Sequence, residues 1–387
     1  MAEIPTWAPL SEEVLADQRA HYDERRRACP VARSPRGVTV LRHADVVAVA
    51  QDPATFSSGA SVFRSVPNTM DPPEHTAYRS LVDAFFTRER MAALEPEVRR
   101  IARAVVAGLG DRTDAVTGLG RRFAVHAQTS WLGWTGQEDR LVRWMSANHD
   151  AARSADRGRT AAVAAEFDEL VAEQVALRRA AGDDAPDDPT TELLHAVVDG
   201  RPLTDAEIVS VLRNWTAGDL GSIAASLGVV VHFLASSPEV QHELRQVALG
   251  GQGSAADELA AAVDEMLRID DPFLVNRRVV TRPAQVGGFD LRPGERVYLN
   301  WTSANRDESV FGDPDAYRPT ENAAQNLVWG TGVHVCPGRP LATMELVVVL
   351  TELLRATRQV VPDPDRRPVR ETYPVGGWAH VPVVLRR

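Results

Sequence analysis

The chain has 387 residues, of which 44% are hydrophobic, and its 53 acidic and 43 basic side chains give a formal net charge of −10. Every basic residue is an arginine, because the sequence contains no lysine, and this excludes chemistry built on a lysine amine. The acidic balance argues against a nucleic-acid partner, and the apolar stretches are too short for the roughly 20 residues of a membrane span. We therefore expect one globular domain over residues 1–387 with no membrane partner.

The only cysteines are Cys29 and Cys336. Two cysteines are too few for a disulfide framework or a zinc site with several thiolates. The N-terminus also lacks the basic region and apolar core of a secretory signal. These features predict a cytoplasmic protein.

Helix patterns dominate the chain, and strand patterns are short. Apolar residues at three-and-four spacing predict helices over 11–27, 43–51, 91–109, 161–180 and 205–234. Short strands are predicted near 37–41, over 278–299 and, as a hairpin around two glycines, over 373–385. The acidic segment 182–189 predicts a solvated loop between helices. The fold class is therefore mainly α with a small β-rich region.

The most specific motif is the segment 329–345, which reads WGTGVHVCPGRPLATME. Its glycines, at 330, 332 and 338, allow a loop to pass close to a flat ligand. Cys336 stands just before a predicted helix, where the helix dipole and free N–H groups favour a thiolate. Such a thiolate suits an axial iron ligand, whereas the alternative interpretation is a buried structural cysteine.

This segment resembles the heme-binding loop of the cytochrome P-450 family, F-G-x-G-x-H-x-C-x-G, with Trp329 in place of the usual phenylalanine. The resemblance implies that Cys336 is the proximal thiolate ligand of a heme b iron. It further implies that Trp329 packs against the porphyrin near the sulfur, that His334 reaches a heme propionate, and that Gly330 and Gly338 belong to the heme-binding loop.

The segment from Glu265 to Arg268 resembles the E-x-x-R motif of the same family. In the family this ion pair braces the fold near the heme loop. Arg306 lies downstream, where the family completes the network. Outside the resemblance, a Glu and an Arg three residues apart on a helix predict only a surface pair of about 0.3 kcal/mol.

Two further segments resemble propionate-binding positions of the family. Residues 71–79 resemble the start of its C helix, which implies that His75 and Arg79, four residues apart on one helix face, bind propionates. Arg278 takes the position of a strand arginine that contacts a propionate, with Arg277 as a one-residue alternative. The resemblance runs from about residue 29 to the C-terminal hairpin and implies a mostly helical triangular prism that encloses one buried heme b.

The central helix departs from the family motif A-G-x-[D/E]-T, whose acid and alcohol hold water and relay protons. In the family, the first two motif positions lie beside the heme. When Ala217 and Gly218 are aligned with these two positions, Leu220 takes the acid position and Gly221 the alcohol position. Shifting the alignment by one residue makes Asp219 the acid and puts Leu220 at the alcohol position. The threonine is missing in both alignments.

We therefore expect proton delivery in this chain to be reorganised around waters or a polar group of the substrate. Asp219 and Ser222 are the candidates to take over part of the proton relay, because Gly221 lacks the threonine hydroxyl of the family motif. The competing interpretation is that Asp219 only pairs with an arginine elsewhere.

The loop that normally covers the substrate is short in this chain, since only residues 59–69 remain, and the pocket is expected to be comparatively open there. Phe63 and Arg64 are the candidates in that loop to face a substrate. The other candidate wall residues, assigned by family position, are Asn214, Ala217, Leu274, Val275, Asn276, Val375 and Trp378.

The resemblance implies a heme-thiolate enzyme that activates dioxygen with two external electrons. Ferredoxin and ferredoxin reductase are the expected donors, because no flavin or iron–sulfur domain is fused to the chain. The short covering loop and missing threonine favour oxidative cross-linking of aromatic side chains in a peptide natural product. The alternatives are hydroxylation or O-demethylation of a small aromatic molecule and, in a different class, a non-catalytic heme protein that binds a gas or transfers electrons.

Overall fold

The structure is a computed structural model that describes residues 3–61, 64–154, 156–250 and 255–387. Helices account for most of these residues. The α-helices are α1 Glu12–Ala16, α2 Gln18–Ala28, α3 His43–Gln51, α4 Glu74–Asp83, α5 Arg88–Ala107, α6 Arg121–Leu132, α7 Glu138–Arg153, α8 Arg157–Ala181, α9 Pro189–His195, α10 Asp205–Ser236, α11 Pro238–Gly250, α12 Ala255–Ile269, α13 Trp301–Ala304, α14 Glu308–Phe311, α15 Pro319–Asn322 and α16 Arg339–Ala356.

The strands are short and form small sheets at the edges of the helical body. They are β1 Val31–Ser34, β2 Gly37–Val40, β3 Phe56–Ser57, β4 Arg112–Asp114, β5 Val197–Val198, β6 Arg201–Pro202, β7 Val275–Val280, β8 Ala284–Val286, β9 Phe289–Leu291, β10 Arg296–Asn300, β11 Gln359–Pro362, β12 Val369–Arg370, β13 Trp378–His380 and β14 Pro382–Arg386. The largest sheet has the order β1-β2-β10-β7-β3, and a three-stranded sheet has the order β11-β14-β4. The mainly helical fold with a small β-rich region is confirmed.

The long helix α10 runs through the core. It begins at a capping box in which Thr204 Oγ1 accepts from Glu207 N and the Glu207 carboxylate accepts from Thr204 N. Among the described residues, α10 is the one helix long and apolar enough to span a membrane, but 59% of its apolar window is buried inside the protein. Its apolar composition therefore reflects packing against α6, α8, α12 and α16.

Two predicted elements differ from the structure. The helix predicted over 11–27 breaks at Asp17, whose carboxylate accepts from Ala20 N at 3.1 Å and starts α2. The predicted C-terminal hairpin over 373–385 is wrong, since β13 pairs with β12, while β14 pairs with β11 and β4. The change of sheet occurs at Val381, whose N–H donates to Asp114 Oδ2 at 3.1 Å.

A buried ion pair fixes the end of α12. Arg268 and Glu265 are 0% and 1% exposed, with Arg268 Nε 2.7 Å from Glu265 Oε2. Arg268 also donates to the carbonyl of Asn305 at 2.8 Å, and Asn305 Oδ1 accepts from Leu327 N at 2.8 Å. This chain of bonds connects α12 to the segment that leads into the cysteine loop.

Arg306 lies beside this network without contacting Glu265 directly. Its guanidinium bonds to Asp23 Oδ2 and Asp315 Oδ1, both at 2.9 Å, and to the carbonyl of Ile269. Arg306 therefore ties α2 to the end of α12. Breaking a buried pair of this kind leaves a charge without its partner, which is strongly destabilising.

Candidate active site

Cys336 lies in a loop that leads directly into α16. The loop is closed by a hydrogen bond from Cys336 N to the carbonyl of Trp329 at 2.9 Å. Burial, followed by the nearby charge of Asp219, raises the pKa of the Cys336 thiol to about 11, although the backbone N–H groups of Gly338 and Arg339 act in the opposite direction. Metal coordination would reverse this balance, because a thiol that binds a metal is deprotonated.

The glycines of the cysteine loop serve different purposes. Gly332 has φ +74°, and a Cβ there would lie 2.5 Å from the carbonyl oxygen of Ala50, so this glycine allows the loop to pack on α3. A Cβ at Gly330 would meet nothing within 4 Å, and Gly330 lines the cavity beside Cys336. A Cβ at Gly338 would lie 3.9 Å from the Cys336 sulfur. Gly332 thus does not have the role that the sequence analysis assigned to it, whereas Gly330 borders open space.

A cavity of about 310 Å³ separates the cysteine loop from α10. We call it the cysteine cavity, and its walls include Cys336, Gly218, Asp219, Trp329 and Arg278. The Trp329 indole is held in place because its Nε1 donates to Asp264 Oδ1 at 2.8 Å. The cavity therefore has the sulfur on one side and the central helix on the other.

Buried polar groups with spare hydrogen-bonding capacity lie at and beside one edge of the cysteine cavity. His75 Nε2 is buried with no hydrogen-bond partner. Its ring lies 4.3 Å, between centroids, from the ring of His334, whose Nε2 is 2.9 Å from Ser58 Oγ. Arg278 is 5% exposed, and its one side-chain hydrogen bond, among the described residues, goes to the carbonyl of Arg277 at 2.8 Å. Buried donors of this kind call for an anion, and the two propionates of heme b would supply it.

Strand geometry distinguishes Arg278 from its alternative. Successive side chains on β7 point to opposite faces, so Arg278 lies against the cavity while Arg277 is exposed. Arg79, the other arginine expected to bind a propionate, has backbone carbonyls as partners. It donates to the carbonyls of Val333 at 3.0 Å and Val335 at 2.7 Å, and so holds the cysteine loop through its backbone.

The part of α10 that departs from the family motif borders this cavity. Asp219 lines it, and burial raises the pKa of this carboxyl to about 7. Within the described residues Asp219 has no ion pair with an arginine, so the simple pairing interpretation is not supported. Leu220 is 1% exposed and packs in the core, and the Ser222 hydroxyl donates to the carbonyl of Gly218 at 2.6 Å.

Gly221 leaves open space where the family has an alcohol, since a Cβ there would meet no atom within 4 Å. The side chain of Ala217 lies outside the described residues. Asp219 is thus the acidic side chain that α10 presents to the cysteine cavity, and Ser222 is bonded to its own helix.

A second cavity of about 260 Å³ adjoins the first. We call it the side cavity; it shares Gly218, Ser222 and Phe273 with the cysteine cavity and extends between α6, α7 and the segment around Trp378. Val375 and Trp378, two of the expected wall residues, line it. The Trp378 ring stacks on His232 at 3.9 Å between centroids.

Several other expected wall residues lie elsewhere. Leu274 is 2% exposed and packs with Val14 and Tyr22, and Val275 packs against the same cluster. These two assignments are wrong, because the chain enters β7 with Leu274 directed towards α1 and α2. Arg64 is also misassigned, since its exposed side chain pairs with Glu74 at 2.7 Å. Phe63 lies outside the described residues.

Asn276 and Asn214 do line the cysteine cavity. Asn276 Oδ1 accepts from the Trp301 indole at 2.8 Å. Asn214 holds the covering loop, which lies directly on α10 and has no helix in its described part. The cavity walls also include Phe273, Arg121 and Trp144, which belong to no sequence motif and are brought there by long-range packing.

The comparisons with known proteins agree with this architecture. The family described as Cytochrome P450 matches residues 145–377. The erythromycin C-12 hydroxylase of Saccharopolyspora erythraea is 31% identical over 394 residues, which cover 96% of each chain. The nocardicin C N-oxygenase of Nocardia uniformis subsp. tsuyamanensis is 30% identical and covers 94% of each chain.

The fold agrees as well. The solved structure of a mutant of P450 EryK in complex with erythromycin B superposes with a TM-score of 0.85 at 30% identity, and covers 96% of this chain and 98% of that chain. The matched family, the full-length relatives and the shared fold establish that this chain is a bacterial member of the cytochrome P450 family, a monooxygenase with a heme b cofactor.

Proposed function

We propose that this monooxygenase oxidises a bulky secondary metabolite by inserting one oxygen atom into it. The observation that carries the proposal is the pair of joined cavities, which meet at Gly218, Ser222 and Phe273 beside the cysteine loop. The side cavity adds about 260 Å³ next to the cavity that carries the cysteine, and its walls are mostly apolar and aromatic. Two full-length relatives are named as a hydroxylase and an N-oxygenase.

The side chains of this protein would hold the cofactor from two directions. Cys336 is the proposed iron ligand, and Trp329 and Gly330 form the wall next to it. His75, His334 and Arg278 are the proposed donors to the propionates, since His75 and Arg278 have unused donor capacity there. When bound, heme supplies the dioxygen activation that the protein side chains lack.

The carboxyl group of Asp219 is the proposed site of proton exchange. A pKa of about 7 lets its oxygen atoms both hold and release a proton near neutral pH. Ser222 is less suited to the task, because its hydroxyl hydrogen is already donated to the carbonyl of Gly218. A water in the open space at Gly221, or a polar group of the substrate, would complete the path.

Oxidative cross-linking of aromatic side chains in a peptide is the second candidate. It is favoured by the aromatic side chains in the wall of the side cavity, Trp144, Phe273 and Trp378, against which substrate rings could pack. In that reaction two hydrogen atoms leave the substrate and a bond forms between two rings. Hydroxylation or O-demethylation of a small aromatic molecule is a further alternative, which differs from the first proposal in the size of the substrate.

The family takes its electrons from separate redox partners. For this chain we propose a ferredoxin and a ferredoxin reductase, acting in the cytoplasm. The support is the family itself, whose members generally draw on redox partners of this kind.

Product mass separates the candidates. The purified holoenzyme, reduced ferredoxin and labelled dioxygen are incubated with tyrosine-bearing peptides and with simple phenols, and products are measured by mass spectrometry. Incorporation of one labelled oxygen supports the monooxygenase proposal. A loss of two hydrogens without label supports cross-linking instead, and the absence of any oxidised product from the whole panel contradicts both.

A further inference from the structure

The side cavity has a cationic corner that the fold itself does not neutralise. Arg121, the first residue of α6, lines this cavity and is half-buried. Its side chain makes one long hydrogen bond, from Nη1 to Ser146 Oγ at 3.4 Å. Within the described residues, no carboxylate lies within ion-pair distance of Arg121.

The acidic groups near Arg121 are all engaged elsewhere. Asp114 accepts from Val116 N at 3.0 Å and Val381 N at 3.1 Å. Glu371 accepts from Arg153 Nε at 3.0 Å. Asp150 lies on the surface, 3.5 Å from Arg159. Arg121 therefore has no carboxylate bonded to it, although the more distant charges of Asp114, Glu371 and Asp150 favour its cationic form.

The other charged wall groups do not change this balance. Arg153 and Glu371 form an ion pair and cancel each other. Burial, followed by the charge of Arg153, lowers the pKa of His149, so that its ring is neutral at pH 7. Burial also lowers the pKa of Arg121 itself, which means that its charge is poorly solvated and would gain from an anionic partner.

Apart from these groups and the side chains of Asn148 and Ser222, the wall of the side cavity is apolar and aromatic. Trp144 and Trp378 both belong to its wall, and it adjoins the cysteine cavity at Gly218 and Ser222. A ligand that fits this space has an apolar body and meets the cation of Arg121 in the wall. Arginine pairs with a carboxylate through two parallel hydrogen bonds.

We propose that Arg121 binds a carboxylate of the substrate and so selects an aromatic or apolar acid. This inference rests on the proposed function, because it concerns the same substrate cavity. The carboxylate could belong to the C-terminus of a peptide or to a small aromatic acid. Both sources present the same group to Arg121, and the test treats them separately.

The test compares each acid with its amide, which differs in the charged group alone. The probes are N-acetyl-tyrosyl-tyrosine and its C-terminal amide, and 3-(4-hydroxyphenyl)propionate and its amide. Binding to the holoenzyme is measured by calorimetry and by the spin-state change of the heme. We expect at least one acid to bind about tenfold more tightly than its amide. The pair that shows this difference tells whether Arg121 recognises the C-terminus of a peptide or a small aromatic acid.

Three variants locate the effect. Arg121→Gln should remove the acid preference, and Arg121→Lys should keep part of it. Arg122→Gln is the matched control, because Arg122 is the exposed neighbour on the same helix turn and its loss should leave the preference unchanged. Equal affinities for acid and amide in the parent enzyme, binding of none of the four probes, or a preference that survives Arg121→Gln would overturn the proposal.

These readouts separate the inference from the proposed function. Acid preference without any oxygen-labelled product would support the role of Arg121 and contradict the monooxygenase proposal. Oxygen-labelled product without acid preference would support the proposed function and contradict the role of Arg121.

Discussion

Ser65 in the covering loop donates a hydrogen bond to Asn214 Oδ1 on α10 at 2.8 Å, and Asn214 Nδ2 donates to the carbonyl of Val66 at 2.7 Å. One amide on the central helix therefore binds two consecutive loop residues. Val66 N also donates to Ser210 Oγ at 2.8 Å, one helical turn earlier. These bonds hold the short loop over the cysteine cavity without a helix of its own.

Asn214→Ala should loosen this loop. Losing two hydrogen bonds, each contributing about 1 kcal/mol, should speed hydrogen exchange at the Val66 amide by roughly tenfold or more. Asn68→Ala is the control, because Asn68 lies in the same loop and its side chain has no hydrogen bond among the described residues. Unchanged hydrogen exchange at the Val66 amide in Asn214→Ala would show that the hydrogen bonds of Asn214 do not hold the covering loop.

Arg268→Ala should strongly destabilise the fold. The substitution leaves Glu265 buried, 1% exposed, without its cation, which typically costs about 3–5 kcal/mol. The free energy of unfolding in urea measures this effect. Arg100 and Glu97 form a pair with the same spacing on an exposed helix face, so Arg100→Ala should cause no measurable change. Similar losses in the two variants would contradict the structural role of the buried pair.

Asp271 should make stability depend on pH. It is 1% exposed, and burial raises the pKa of its carboxyl to about 8, against the hydrogen bonds from Phe273 N and Asn305 Nδ2. The folded state therefore holds a proton that the unfolded state has lost between about pH 4 and pH 8. Stability from this group is present at low pH and falls as pH rises, with a slope of at most about 1.4 kcal/mol per pH unit.

Asp271→Asn removes the titrating group but keeps its size. Its free energy of unfolding, measured in urea from pH 5 to pH 8, should fall less steeply with pH than that of the parent. Parallel pH profiles for the two proteins would show that Asp271 does not titrate in this range.

Adjacent arginines on β7 provide a matched test of heme retention. Arg278→Ala removes a buried donor at the cavity edge, whereas Arg277→Ala removes an exposed one. Since a hydrogen bond to a charged group contributes about 1.5–3 kcal/mol, Arg278→Ala should speed heme transfer to apomyoglobin by about tenfold or more. Arg277→Ala should transfer heme at the parent rate, and the reverse order would contradict the assignment.

Local patterns predicted the helices and the cysteine loop well. The helix over 43–51 has the predicted bounds. His334 and Arg278 line the same cavity and His75 lies beside His334, whereas their binding of propionates stays a prediction. The helix bounds follow from short-range spacing, whereas the grouping of the two histidines and Arg278 is expected from the family resemblance alone. The motif around Glu265 and Arg268 likewise marks a buried pair that helix spacing alone would place on the surface.

Long-range packing explains what the sequence could not show. Leu274 faces α1 and α2 because the N-terminal segment covers it, and no local pattern encodes that contact. Arg121 lacks a partner because Asp114 and Glu371 are bonded elsewhere. The change of sheet at Val381 depends on Asp114, 267 positions earlier in the chain.

The absorption spectrum of the ferrous carbon monoxide complex tests the central claim most directly. Cys336 is the cysteine at the start of α16 on the wall of the cysteine cavity, while Cys29 is buried in a separate core cluster. We predict that Cys336→Ser abolishes the strongly red-shifted Soret band that a thiolate ligand produces and that Cys29→Ser keeps it. A Cys336→Ser protein that binds heme and retains this band would contradict the account.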